Sequence, residues 1–305
     1  MVIFSCIIVI NAGYRGYLPD QLHCIGSSIA AMRTKNINIK EGNTMEKNRL
    51  ALIGCGYLNE IIANAVQDGF LPDYELIAVL GRDLVRAKAF AERHGCKACA
   101  DIEELMAMKP DFTAEAASVK AVQDYGESVL NGGSNFVVLS IGAFADREFY
   151  ERVKSTAARN QRRVYIASGA VGGFDVLRTA ALMSPITASI RSQKAPASLK
   201  NTPLFTEKLM DITAPHQVFN GTTKEAIAIL PTHVNVAIAT ALASAGPENT
   251  TMNIEAVPGF TGDEFKIEIQ GEEVRTELNI YSRTSAIAAW SVVAVLQNAI
   301  APIVF

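Results

Sequence analysis

The chain has 305 residues with 28 Lys and Arg against 31 Asp and Glu, a near balance that leaves no electrostatic footprint for a nucleic-acid partner. About half of it (49%) is hydrophobic, enough for two domains with substantial cores, yet no apolar run reaches the roughly 20 residues of a membrane span. Five scattered cysteines, in a chain too large to need disulfide staples, fit a reducing compartment, so a soluble, cytoplasmic protein with no membrane partner is expected.

The first ten residues are apolar, but no Lys or Arg precedes Arg15 and no clear small-residue cleavage site follows, which makes a poor signal peptide. Lys40-Glu41-Gly42 is encoded by a purine run of the kind found in bacterial ribosome-binding sites, and it lies just upstream of Met45. Met45 is therefore the expected start, with residues 1–44 a translated leader without a fold of its own.

From Arg49 short apolar runs alternate with longer amphipathic ones, the pattern of β-α-β units. Strands are expected at 50–53, 75–80, 97–100, 112–116, 136–139 and 164–166. Helices are expected between them at 58–67, 84–93, 101–108, 120–130 and 148–158. This is an α/β, Rossmann-type doubly wound parallel sheet. At its first strand-to-helix turn stands Gly54-Cys55-Gly56-Tyr57-Leu58-Asn59, a G-x-G-x-x-G fingerprint with Asn59 in the third glycine's place. Gly54 permits the tight turn and Gly56 lets the backbone approach a pyrophosphate. That anion then rests on the helix start at Tyr57 and Leu58.

An acid that would hold the ribose 2′-hydroxyl of NAD is missing after the second strand, where the sequence reads Gly81-Arg82-Asp83. Arg82 can pair with a 2′-phosphate or stack on adenine, which favours NADP over NAD. The alternative is that Arg82 is only a solvated helix start with Asp83 as its N-cap. Cys96-Lys97-Ala98-Cys99 is a lone C-x-x-C beside His94, which itself reads as a surface-like helix end. No second pair follows at ligand spacing, so no metal is expected.

After Ile166 comes Ser168-Gly169-Ala170-Val171-Gly172-Gly173-Phe174-Asp175, a small-residue turn into a helix ending near Ala181. Here the chain resembles the L-aspartate dehydrogenase family, which carries S-G-A-I-G-G-L-D at this point. Further matching blocks are Glu115-Ala116-Ala117-Ser118, Gly142-Ala143-Phe144-Ala145-Asp146, Pro231-Thr232-His233-Val234-Asn235-Val236-Ala237 and Thr284-Ser285. The resemblance runs from Arg49 to Asn298. It implies a dinucleotide domain over 45–166 plus 284–305, with a returning C-terminal helix, and an α+β substrate and dimerisation domain over 167–283. It further implies a small-molecule substrate, NADP or NAD as cofactor, a homodimer, and contact of Ala170 and Asn235 with the cofactor near its nicotinamide. A helix N-cap is the alternative role for Asn235. Periodicity in this half predicts strands at 186–194, 216–219, 252–256 and 265–270, and helices at 224–230, 234–244 and 285–298.

The family's catalytic histidine lies in a D-P-x-x-x-x-N-x-H segment. Aligned on Pro258, this chain has Val257 for the Asp, Asp263 for the Asn and Phe265 for the His; a shift of one residue offers Glu264. The loop from there to Thr284 reads as shorter than the family's. His233, two residues before Asn235, is the candidate acid or base, with a suitable pKa near neutrality; its alternative is a backbone hydrogen bond at a helix start. Lys194 falls where the family has a lysine before proline. It is a candidate to bind a substrate carboxylate or polarise the imino carbon, or else an exposed strand end. Ser168 adds a hydroxyl nearby. The implied activity is oxidative deamination of L-aspartate or a close relative. The competing readings are an oxidoreductase on a different small substrate and a non-catalytic NAD(P)-binding regulator.

Overall fold

The structure is a computed structural model that describes residues 46–230 and 234–305. The expected leader and start at Met45, and the candidate base His233, lie outside the described residues.

The first half builds strands β1 (Asn48–Ile53), β2 (Tyr74–Leu80), β3 (Lys97–Cys99), β4 (Phe112–Glu115), β5 (Asn135–Val138) and β6 (Val164–Ile166), with helices α1 (Tyr57–Gln67), α2 (Leu84–His94), α3 (Ile102–Ala107), α4 (Val119–Asn131) and α5 (Arg147–Arg159) between them. The strands form one parallel sheet in the order β3-β2-β1-β4-β5-β6. Such a sheet is covered by helices on both faces, so its strands read as continuous apolar runs. Leu50, Ala51, Leu52 and Ile53 of β1 are accordingly almost wholly buried. Because β1 and β4 are neighbours but not consecutive, their connections leave in opposite directions. A crevice opens beyond their carboxyl ends, where ligands of such sheets bind.

The second half supplies α6 (Phe174–Met183), β7 (Thr187–Lys194), β8 (His216–Thr222), α7 (Thr223–Ile229), α8 (Asn235–Ala243), β9 (Thr250–Ala256), β10 (Asp263–Gln270) and β11 (Arg275–Ser282). Its mixed sheet has the order β11-β10-β7-β9-β8. Alternation sets its inner face: Ala188, Ile190 and Ser192 of β7, Met252 and Ile254 of β9, and Phe265, Ile267 and Ile269 of β10 are buried. The last helix, α9 (Ala286–Ile300), returns to the first sheet. There Ala289, Val292, Val293 and Leu296 join Leu50, Leu52 and Ile62 in one core, and the Tyr74 hydroxyl donates to the Leu296 carbonyl at 2.7 Å. Among the described residues no helix is long and apolar enough to cross a membrane.

Three sequence expectations need correction. The stretch before Thr284, read as a loop, is a hairpin in which β11 pairs with β10 from Asp263↔Ser282 to Gln270↔Arg275. It escaped notice because an edge strand buries little: half-buried Thr276, Leu278 and Ile280 alternate with exposed Arg275, Glu277 and Asn279. His94 is not a surface group. Its side chain is 4% exposed, with the ring tilted against Phe90 and Nε2 2.7 Å from a Glu60 carboxylate oxygen. Asn235 begins α8 without capping it, as described below. Cys96 and Cys99 are free thiols, and burial pushes Cys96 up to about 11, well clear of thiolate formation near neutrality.

Candidate active site

The turn after β1 is built around Gly54, whose φ of +107° few side chains tolerate and whose N–H donates to the Leu80 carbonyl at 2.7 Å. A Cβ on Gly54 would also stand 2.6 Å from the Asn59 side-chain nitrogen and 3.1 Å from the Ala116 carbonyl. Asn59, in the third glycine's place, is wholly buried, and its amide donates to the carbonyls of Ile53 and Ala116, each at 3.1 Å. It thereby ties the end of β1 to the end of β4. Asn59→Leu keeps the bulk but leaves the Ala116 carbonyl without that donor. A loss of about 1–3 kcal/mol is expected, checked by denaturant unfolding of the two proteins.

Gly56 is a glycine for another reason. It stands at the N-cap of α1 in an extended conformation, φ −98° and ψ −175°, that any residue adopts. A Cβ there would meet no atom within 4 Å. Neither backbone nor packing asks for glycine, whereas a pyrophosphate lying on the first N–H groups of α1 does. The residues present thus fit a dinucleotide. A groove of about 490 Å³ runs from here past Leu80, Arg82, Asp83 and Arg86 to Ala116, Ala117, Ser118 and Lys120. Asp83 caps α2 by accepting from Val85 and Arg86 N–H, as its alternative reading had it, while Arg82 lines the groove. Arg86 was missed in the sequence, although it lies one turn along the helix from Arg82. Tyr57 is 60% exposed and lines a neighbouring depression shared with Glu60, Arg86 and Arg93, whereas Leu58 lines the central cavity.

Ala116, Ala117 and Ser118 wall both this groove and a larger cavity of about 670 Å³ between the two sheets. Their loop is held by Glu115, a wholly buried carboxylate. It accepts from the N–H groups of Ala117 (2.7 Å), Ser118 (2.8 Å) and Ser140 (3.0 Å) and from the Ser140 hydroxyl (2.8 Å). Burial pushes its carboxyl above the usual range, and those four donors pull against that shift.

The cavity brings together Leu58, Ser168, Ala170, Lys194 and Asn235 from the sequence reading. The turn carrying Ser168 and Ala170 is fastened to α9 by the Gly169 N–H, which donates to the Ser291 hydroxyl at 3.0 Å. Asn235 is the first residue of α8, behind Val234 as N-cap, and its side-chain oxygen accepts from the Gly142 N–H at 2.8 Å. The amide therefore ties α8 to the segment after β5 and leaves its own helix uncapped. Lys194, at the end of β7, is 24% exposed and ion-paired with Asp263, and its ammonium lies 5.4 Å from the centre of the Phe265 ring. Phe265, at the family histidine's place, is buried on the cavity wall. Glu264 does not line the cavity, because alternation along β10 turns it to the opposite face.

The comparisons with known proteins agree with this geometry. Residues 175–299 match the family model for the C-terminal domain of aspartate dehydrogenase, and residues 54–167 match the NAD-binding domain model of homoserine dehydrogenase. The L-aspartate dehydrogenase of Methanococcus maripaludis strain C5 is 30% identical over 264 residues, and that of Methanocaldococcus jannaschii 29% over 265; in each case 84% of this chain and 98% of the relative are covered. The crystal structure of aspartate dehydrogenase from Thermotoga maritima superposes with a TM-score of 0.69 at 25% identity, covering 85% of this chain and 99% of that one. A dinucleotide groove meeting a cavity between the two sheets, and near full-length similarity to these enzymes, place the chain in the L-aspartate dehydrogenase family of NAD(P)-dependent oxidoreductases.

Proposed function

We propose that this protein oxidatively deaminates L-aspartate, giving the imino acid and, on hydrolysis, oxaloacetate and ammonia. The observation that carries the reading is the cavity between the sheets, which joins the cofactor side at Leu58, Ala116 and Ser118 to the substrate side at Lys194 and Asp263. Gly54, Gly56 and the N–H groups of Tyr57 and Leu58 receive the pyrophosphate; Arg82, with Arg86 beside it, receives the adenosine end. Ala170 and Asn235, on the cavity wall, would border the nicotinamide, whose chemistry would be to take up hydride. Lys194 holds the α-carboxylate, and His233 moves the proton that amine oxidation releases. We assign residues 45–166 with 284–305 to cofactor binding and 167–283 to substrate binding and homodimer contact, in a cytoplasmic enzyme.

A panel of amino and keto acids followed by NAD(P)H absorbance tests this, with a cofactor-binding titration alongside. Turnover of L-aspartate above other amino acids supports it. Turnover of another amino acid instead favours a changed substrate, the reading that Phe265 at the histidine position supports. Cofactor binding without any turnover leaves a regulatory protein.

Cofactor choice gives a sharper test. Arg82→Asp puts an anion beside the 2′-phosphate site, so the KM for NADP should rise by roughly tenfold or more while that for NAD moves much less. Equal losses for the two cofactors would refute an NADP preference.

A further inference from the structure

Lys194 and Asp263 are the only ionisable side chains among the described residues that line the central cavity. They come from adjacent strands, β7 and β10, and are paired with each other. Asp263 shares its strand face with Phe265, Ile267 and Ile269, so its presence in the cavity follows from the alternation that buries those three. Two residues before Lys194 and on the same face is Ser192. Its hydroxyl is wholly buried, lines the cavity and has no hydrogen-bond partner among the described residues. A buried hydroxyl in that state is poised to donate to a ligand oxygen.

We propose that Asp263 is a substrate-binding residue that receives the α-ammonium, and that with Lys194 it forms a two-charge anchor for the zwitterionic head of an α-amino acid. This rests on reading the cavity as an amino acid dehydrogenase site. An α-amino acid carries its ammonium and carboxylate on one carbon. Entering between Lys194 and Asp263, it exchanges one ion pair for two, the carboxylate on Lys194 and the Ser192 hydroxyl and the ammonium on Asp263. Both charges of that head stay paired as water leaves, which is the condition for burying charges without a large penalty. A dicarboxylate without the amine lacks this complementarity: it competes with Asp263 for Lys194 and faces a like charge. Asp263 stands where the family pattern has an asparagine, so the ammonium contact is a property of this chain and not of the pattern.

The test is binding without turnover. Calorimetric titration of the NADPH-saturated protein compares L-aspartate with succinate, which is the same molecule without the amine. The wild type is expected to prefer aspartate by tenfold or more. Asp263→Asn should lose roughly 10- to 100-fold in aspartate affinity, the scale of one charge-assisted hydrogen bond, while succinate affinity stays level or improves. Asp263→Glu, which keeps the charge, should retain the preference, and it serves as a second variant if the asparagine protein folds poorly. An unchanged aspartate preference in Asp263→Asn, or equal losses for both ligands, overturns the proposal. A wild type that selects aspartate through Asp263 yet oxidises no amino acid supports the anchor and sinks the deamination reading. An Asp263→Asn enzyme that oxidises aspartate with an unaltered KM does the reverse.

Discussion

Replacing His233 with Asn is expected to lower kcat on L-aspartate by roughly two to four decades, the usual contribution of a positioned acid or base, while NAD(P)H affinity stays nearly unchanged. Phe265, which alignment on Pro258 sets at the family histidine's position, cannot carry a proton. Of the other histidines in the described residues, His94 is engaged with Glu60 and Phe90 beside α1, and His216 opens β8 without lining the cavity. His233 precedes by two residues Asn235, a lining residue of the cavity. Steady-state kinetics with a pH profile check the assignment. Loss of kcat together with loss of its lower pH limb identifies the base, because that limb is the base becoming protonated. Full kcat in the variant, on a substrate that the wild type turns over, would show that the proton leaves by another route.

The six-stranded sheet was legible in the sequence because each of its signals is local. The apolar runs at 50–53 and 75–80 are bounded by turn residues, and their alternation with longer amphipathic runs implied β-α-β units and a parallel sheet. The phosphate turn was legible for the same reason. What escaped depends on residues distant in sequence. Asn59 looked like a weakened glycine; its amide bonds a carbonyl 57 residues away, across the gap between β1 and β4. Asn235 read as a cofactor contact with a helix cap as the alternative, and its oxygen is taken by an N–H group 93 residues earlier. Lys194 was visible as a candidate, but its partnership with Asp263 across 69 residues required the β7–β10 register. A strand such as β11, half-buried on one face only, lacks the apolar density that marks a strand from sequence alone.

The same blindness covered Glu115, and the largest stability effect is expected there. Written in the sequence it is one member of a Glu-Ala-Ala-Ser block; in the fold it is a buried carboxyl group joining the ends of β4 and β5. One carboxylate oxygen accepts from Ala117 N–H, Ser118 N–H and the Ser140 hydroxyl, and the other from Ser140 N–H. Glu115→Gln has the same shape but only one acceptor oxygen. Whichever way its amide turns, an NH₂ group faces at least one backbone N–H, donor against donor, in a site without water access. With about 1–3 kcal/mol for each buried group left unsatisfied, a loss of about 2–4 kcal/mol is expected, seen as a melting temperature lower by roughly 5–15 °C. Function should suffer separately from stability, because the loop that Glu115 holds walls both the dinucleotide groove and the central cavity. At a temperature where the variant is still folded, the KM values for cofactor and for amino acid should rise together. A variant that melts like the wild type would mean that the 116–118 loop holds its shape without the carboxylate, and a variant that is destabilised but kinetically normal would confine Glu115 to the fold.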